Sequence, residues 1–388
     1  MNLERLYLDY NATSPLSKSV IHWLQSGDLP FANPASQHTD GKASRKIINE
    51  ARSFIFKTFN KTDKNTRLFF HSGATEAFHT FAYSFSETAR LEGKDLLICF
   101  SRIDHPAVTS LEEKYFGPHV KLLEIERNNK LHYEHEKNFD VLKDKKDNNP
   151  NLIILYHHLW VHNETGQISS LKDLKKLKEI PDLYIHVDAV QAPGKIENWK
   201  DLSVGDVWTF SAHKFGALKG IGFSLFKSEI PFHPLIKGGS QQFNLRSGTE
   251  NVMGVKSVHL ALTDILKIDP GKTLAKRNAL VEFIKAELSG VGEVLNSEVM
   301  ASNTIYFYLN DLTSDIALAL FDINGLEISA GSACSSGAAK ASAVLTQTGL
   351  IKVARNGLRI SLSFDPTDEE IKTFKERFLK TIQKIKKS

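Results

Sequence analysis

Little cysteine, little net charge and no long apolar run: these shortages already narrow what the chain can be. Only two cysteines, Cys99 and Cys334, occur in 388 residues, too few for a disulfide framework and in keeping with a reducing, cytoplasmic setting. No stretch approaches the roughly 18 apolar residues of a membrane-spanning helix, so no membrane partner is expected. Met1-Asn2-Leu3-Glu4-Arg5 carries charge at once, unlike the apolar core of a secretion signal. The net charge of +4 is only mildly basic. Lysines gather at residues 171–178 and 380–387, but acidic residues are interleaved through the chain and no aromatic-studded basic module accompanies them. Solvated helix faces, and no nucleic-acid partner, are the expectation. Internal repeats, low-complexity tracts and Pro-rich linkers are absent as well.

What is present is an ordinary globular composition, 41% hydrophobic and 24% charged, long enough for two domains. From about residue 40 to 230, short apolar runs alternate with helical stretches. The runs are Leu68-Phe69-Phe70, Leu96 to Phe100, Leu152 to Tyr156, Leu183 to Val187, Val207 to Phe210 and Gly222 to Phe226. Continuous apolar strands of this kind predict an α/β fold with a largely parallel sheet covered on both faces. Between them, Ile47, Ile48, Ala51, Phe54, Ile55 and Phe59 recur at helical spacing and make one apolar stripe. The polar stretch 128–151 has room for a helix and a loop. Beyond about residue 255 the strands thin out, and long amphipathic helices frame segments 303–308 and 358–362, predicting a smaller α+β domain. We expect residues 14–255 to form the large domain and residues 1–13 with 256–388 the small one.

In open α/β sheets, ligands sit at the carboxyl ends of the strands. Ser211-Ala212-His213-Lys214 follows one apolar strand and precedes the Gly-rich turn Lys219-Gly220-Ile221-Gly222; another strand ends in Asp188, with Gln191 just beyond. A nucleophilic amine and a charged carboxylate on one sheet edge are what pyridoxal 5'-phosphate (PLP) asks of a protein. The lysine closes a Schiff base on the aldehyde, and the aspartate pairs with the pyridinium nitrogen. After the run at 68–70 comes His71-Ser72-Gly73-Ala74-Thr75-Glu76, a small-residue turn opening a helix, whose N–H groups and dipole suit the cofactor phosphate. Singly, each feature has a plainer reading: a Ser/Thr/Gly cap, an aspartate cap, a surface lysine. Ser211 and His213, both able to bond a phosphate, make the lysine turn more specific.

Eight motifs then occur in order: Tyr7-Leu8-Asp9-Tyr10-Asn11-Ala12-Thr13, Asn33-Pro34-Ala35-Ser36-Gln37-His38, Ser72 to Glu76, Asn163-Glu164-Thr165-Gly166, His186-Val187-Asp188-Ala189, Ser211 to Lys214, Arg246-Ser247-Gly248-Thr249 and Gly331-Ser332-Ala333-Cys334-Ser335-Ser336-Gly337. Over nearly its whole length the chain resembles the cysteine desulfurases of the NifS/IscS type, class V PLP enzymes of fold type I. The resemblance implies a mostly parallel, helix-flanked sheet in a large PLP-binding domain, and a smaller α+β domain carrying a mobile cysteine loop at about 328–342. It implies Lys214 as the Schiff-base lysine, Asp188 at the ring nitrogen, Gln191 at the phenolic oxygen and His105 stacked on the ring as a proton carrier. Ala74, Thr75, Ser211 and His213 match phosphate contacts, and Thr249 one that reaches a neighbouring subunit's cofactor, hence a homodimer. Asn163, beside the cofactor, and Arg359 match contacts to the substrate carboxylate. A guanidinium fork can hold that carboxylate by two parallel hydrogen bonds.

The implied reaction converts L-cysteine to L-alanine and leaves the sulfur on Cys334 as a persulfide. Iron–sulfur scaffolds or other sulfur acceptors would draw on it, with no resident metal beyond transient cluster ligation at Cys334. Selenocysteine lysis, another class V reaction, or a non-catalytic sulfur-transfer or assembly subunit stand as alternatives. Cys334 lies among small residues that suit an accessible loop, whereas Cys99 lies inside an apolar run, the usual place of an inert thiol. Three positions depart from the family pattern: His162 in place of a common asparagine, Leu218 in place of a proline, and Ala338 to Ser342 in place of Glu-Pro-Ser. The last bears on how the loop is anchored and which acceptor it serves.

Overall fold

The computed structural model describes residues 4–295, 299–331 and 341–387, and Cys334 lies outside the described residues. Strand β1 (Leu6–Tyr7) and helices α1 (Lys18–Ser26) and α2 (Thr39–Thr58) lead into the large sheet. Its strands are β2 (Thr66–His71), β3 (Asp95–Phe100), β4 (Val120–Glu124), β5 (Leu152–Leu159), β6 (Leu183–Asp188), β7 (Val207–Ser211) and β8 (Gly222–Lys227). Helix α3 (Ala74–Glu92), the single turn α4 (Pro106–Thr109) and α5 (His135–Asn148) lie between them, and α6 (Val252–Ile265) follows.

The seven strands run in the order β2-β8-β7-β6-β5-β3-β4. All pairings are parallel except those of β8, which is antiparallel to both β2 and β7. The connection from β7 to β8 is too short for a helical crossover, so the chain must double back. Two reversals return β2 to the direction of β7, and the carboxyl ends of β2, β5, β6 and β7 therefore share one edge. Each apolar run of the sequence became a strand; β4 is the addition. Val120-Lys121-Leu122-Leu123-Glu124 is an edge strand beside β3, and its half-exposed, mixed composition hides it from a search for apolar runs.

Side-chain alternation along the strands sorts the core. Leu68 and Phe70 of β2 join Ile48, Ala51 and Ile55 of α2 and the apolar face of α6 on one side of the sheet. Phe69 joins Phe78, Phe81 and Phe85 of α3 on the other. Val258, Ala261, Leu262 and Ile265 of α6 all pack with the large sheet, so the change of core falls after Ile265. Next come α7 (Pro270–Leu288), β9 (Gly292–Leu295), β10 (Thr304–Leu309), α8 (Ser314–Ile323), β11 (Leu326–Glu327), β12 (Ser329–Ala330), α9 (Ala343–Gln347), β13 (Gly357–Ser361) and α10 (Asp368–Ile385). Here an antiparallel sheet in the order β12-β13-β10-β9 packs under Leu280 and Ile284 of α7, Phe321 of α8, and Phe374, Phe378 and Ile382 of α10. The N-terminus belongs to this second unit: β1 pairs in parallel with β11, and Asp9 bridges to Ser361.

Candidate active site

A cavity of about 530 Å³ opens at the shared strand edge. Nine of the residues singled out from the sequence line it: Ala74, Thr75, His105, Asn163, Asp188, Gln191, Ser211, His213 and Lys214. Each stands where a strand ends. β2 delivers the chain to the N-terminus of the 19-residue helix α3, where the Ser72 N–H is taken by Glu76 Oε2 at 2.8 Å and Glu76 in turn accepts from Arg246 at 3.0 Å. Residues 73–75 follow with the remaining first-turn N–H groups, a ready anion site. Asp188 is the last residue of β6. One of its oxygens accepts from the Val190 N–H at 2.9 Å, and burial raises its pKa to about 6. A cationic ring N–H in the cavity would hold it as the carboxylate.

Lys214 lies in a single 3-10 turn after β7, closed by Gly216 at φ 93°, where a Cβ would come within 2.9 Å of the Ser17 nitrogen. Its Nζ donates to the backbone carbonyls of Asn11 and Ala12, both at 2.7 Å. His213 shares a hydrogen bond with Thr13 Oγ1 at 3.2 Å; burial and the charges of Lys214, Lys219 and Lys195 lower its pKa to about 4. His105 caps α4 through Nδ1, which accepts from the Ala107 N–H at 3.1 Å, so its neutral ring carries the proton on Nε2. Burial and then Lys214 bring its pKa to about 4. The turn before it is pinned by a buried ion pair, Arg127 to Asp104 at 3.1 Å, with the guanidinium 3.5 Å from the Tyr133 ring centre.

The residues fit an anionic, polar ring. Cationic side chains outnumber Asp188 around the cavity, and the floor holds buried ring nitrogens with no hydrogen-bond partner among the described residues: both of His157 and Nδ1 of His186. These are the residues PLP would need: a lysine amine, an aspartate, a helix N-terminus and hydroxyls.

Two further expectations fall outside the cavity wall. Arg359 on β13 is buried, and its fork is engaged: Nη2 with Asp9 Oδ1 at 2.6 Å and Nη1 with the Asn163 carbonyl at 3.0 Å. Thr249 is exposed at the surface. Cys99 is fully buried on β3, and burial pushes its thiol far up in pKa, the inert partner of the two cysteines. The described residues after the Cys334 segment stand beside Glu164: Ser342 Oγ approaches Glu164 Oε2 at 3.5 Å and shares a 3.2 Å hydrogen bond with Tyr306.

Composition and motif reading missed Asn11 as a hub, His157 of the floor and Lys195. Asn11 sits inside a quoted motif, and Lys195 is four residues beyond Gln191 amid apolar neighbours, the one signal a buried lysine leaves. The departure at His162 has a local account. Its Nδ1 accepts from the N–H groups of Glu164 and Thr165, at 3.2 and 3.3 Å, as an asparagine oxygen would in the same turn, while Nε2 donates to the Ile103 carbonyl at 3.0 Å.

A family model, aminotransferase class V, matches residues 6–374. A cysteine desulfurase IscS of Dictyoglomus turgidum is 31% identical over 98% of this chain and 95% of its own. A cysteine desulfurase of Cereibacter sphaeroides is 30% identical over 95% and 93%. Among solved structures, a NifS-like protein superposes with a TM-score of 0.83 at 26% identity, covering 99% of both chains. A NifS-like protein from Rickettsia africae superposes with a TM-score of 0.82 at 25% identity, over 98% of this chain and all of that one.

Proposed function

The chain belongs to the class V aminotransferase family, on its cysteine desulfurase branch, and from that membership we propose a PLP-dependent desulfuration of L-cysteine centred on Lys214 and completed by Cys334. One observation carries the reading: Lys214, Asp188, Gln191, His105 and the N-terminus of α3 converge on one cavity of about 530 Å³. Bound there, PLP supplies an aldehyde for covalent capture of amines and an electron sink that weakens bonds at the substrate Cα and Cβ. Lys214 holds the cofactor and, once released, carries the Cα proton. Asp188 keeps the ring nitrogen charged. Residues 73–75, Ser211 and His213 hold the phosphate. His105 carries a proton between the substrate thiol and its acceptor.

Sulfur then moves without any external oxidant: the Cys334 thiolate attacks the substrate sulfur, the Cβ–S bond breaks with its electron pair left on carbon, and a proton there completes L-alanine. Cys334 ends as a persulfide for delivery to an iron–sulfur scaffold or another acceptor. Arg359 and Asn163 hold the substrate carboxylate. We place the protein in the cytoplasm as a homodimer, with the exposed Thr249 directed to the neighbouring cofactor; its surface position supports this.

Purified protein given PLP should turn yellow, form alanine from L-cysteine and gain one sulfur on Cys334 by mass spectrometry. Cys334→Ala should keep the colour and stop sulfur transfer, and Lys214→Ala should abolish turnover. A protein that stays colourless with PLP refutes the reading.

A further inference from the structure

Lys195 is 1% exposed, and among the described residues its ammonium bonds to side-chain amide oxygens rather than to a carboxylate. It donates to Asn11 Oδ1 at 2.9 Å and to Gln191 Oε1. Asn11 turns its oxygen to the lysine because its Nδ2 is committed to Thr304 Oγ1, at 2.8 Å, and to the Asn163 carbonyl, at 3.2 Å. An ammonium has three donors and no acceptor. Whichever Gln191 amide atom faces it must therefore be the oxygen, and the nitrogen is turned the other way. There Nε2 donates to the Asn11 carbonyl at 2.9 Å and retains a second hydrogen. Gln191 is 3% exposed and lines the cavity.

We infer that Lys195 is a positioning residue of the cofactor site: it locks the Gln191 amide so that an N–H, and not a carbonyl, is presented to the phenolic oxygen of PLP. The inference rests on the PLP reading and adds a residue to it. A hydroxyl or a neutral amide at 195 can accept as well as donate, and would hold Gln191 less strictly; a donor-only group removes the choice. The same carbonyl of Asn11 accepts from both Gln191 and Lys214, so the lock and the covalent anchor of the cofactor share one backbone oxygen. Lys195 is also an electrostatic neighbour. Burial, then Lys214 and Arg359, push its ammonium well below the ordinary lysine range, with Asp9 opposing. An anionic phenolic oxygen in the cavity would favour the charged, donor-only form of Lys195 against that shift.

Holoenzyme carrying Lys195→Met or Lys195→Gln separates the lock from the charge. Both variants lose the cation, but glutamine keeps an N–H for Gln191 Oε1. The readouts are the pH midpoint of the visible cofactor band and the dissociation constant of PLP. Lys195→Met is expected to raise the midpoint by about one unit, the size of effect a close charge or hydrogen-bond change produces, and to weaken PLP binding about tenfold. Lys195→Gln should recover about half of both changes. Equal values in the two variants, or a methionine variant indistinguishable from the parent, overturn the lock. If thermal melts show that Lys195→Met does not fold, Gln191→Glu replaces it: a carboxylate facing the ammonium presents no N–H, so the band must shift, and an unshifted band overturns the proposal. A parent protein with no PLP band removes the PLP reading itself, a result distinct from all of these.

Discussion

Replacing Asp9 by asparagine removes the charge that holds the guanidinium the proposed reaction needs, leaving only a neutral acceptor in its place. Arg359 Nη2 lies 2.6 Å from Asp9 Oδ1, and the two side chains are 4% and 21% exposed. A substrate carboxylate that uses this fork must first displace Asp9. A hydrogen bond to a charged group contributes about 1.5–3 kcal/mol, equivalent to roughly 10- to 150-fold in affinity. Asn163 still holds Nη1 at 3.0 Å after the substitution, so the fork stays oriented and the lower end applies. We expect Asp9→Asn to lower KM for L-cysteine about tenfold, with kcat little changed. Stability moves the other way. Breaking a fully buried pair by removing one partner costs about 3–5 kcal/mol; the partial exposure of Asp9 reduces this to roughly 2–3 kcal/mol, a fall of several degrees in Tm. Steady-state alanine formation and a thermal melt on one preparation check both. A variant that loses stability while KM stays unchanged or rises refutes the claim that Asp9 and the substrate compete for Arg359.

Acid should unfold the protein through its buried neutral histidines. Burial lowers the pKa of His71 to about 4, of His162 and His186 to about 3, and of His157 and His158 well below the ordinary 6.5. The unfolded chain binds protons at these sites as pH falls through 6.5 and the folded chain does not. Stability is intact above that pH and drops toward pH 4, by roughly 1.4 kcal/mol per unit for each lagging histidine; a urea midpoint that is flat from pH 7 to 5 contradicts this. Glu164 acts with the opposite sign. Burial raises its pKa to about 8, with Arg359 and Ser342 opposing, so its contribution is present below pH 4.5 and is lost as pH rises through 8. Glu164→Gln should therefore raise the urea midpoint at pH 8 and leave it unchanged near pH 4.5; equal effects at both rule this out. Finally, His162→Asn should cost about 1 kcal/mol and His162→Ala about 3 kcal/mol in chemical denaturation, because asparagine preserves the two N–H contacts and alanine leaves them unpaired. Equal costs would show that the turn does not depend on that acceptor.

The sequence by itself determined the strands whose side chains face protein on both sides, since a fully buried parallel strand has to be written as an unbroken apolar run. It also determined which residues stand at strand ends, and nine of those named from motifs line one cavity. The edge strand β4 and the reversal of β8 were decided in three dimensions, because half-exposed pairing and strand direction leave no periodic mark. Most of the electrostatics was decided there too. Arg359 and Asp9 are 350 positions apart, and Lys195 meets Asn11 across 184. A lysine or an arginine carries the same letter whether solvated or buried; only the packed chain settles which acceptors surround it, and with them its charge, its orientation and what it can hold.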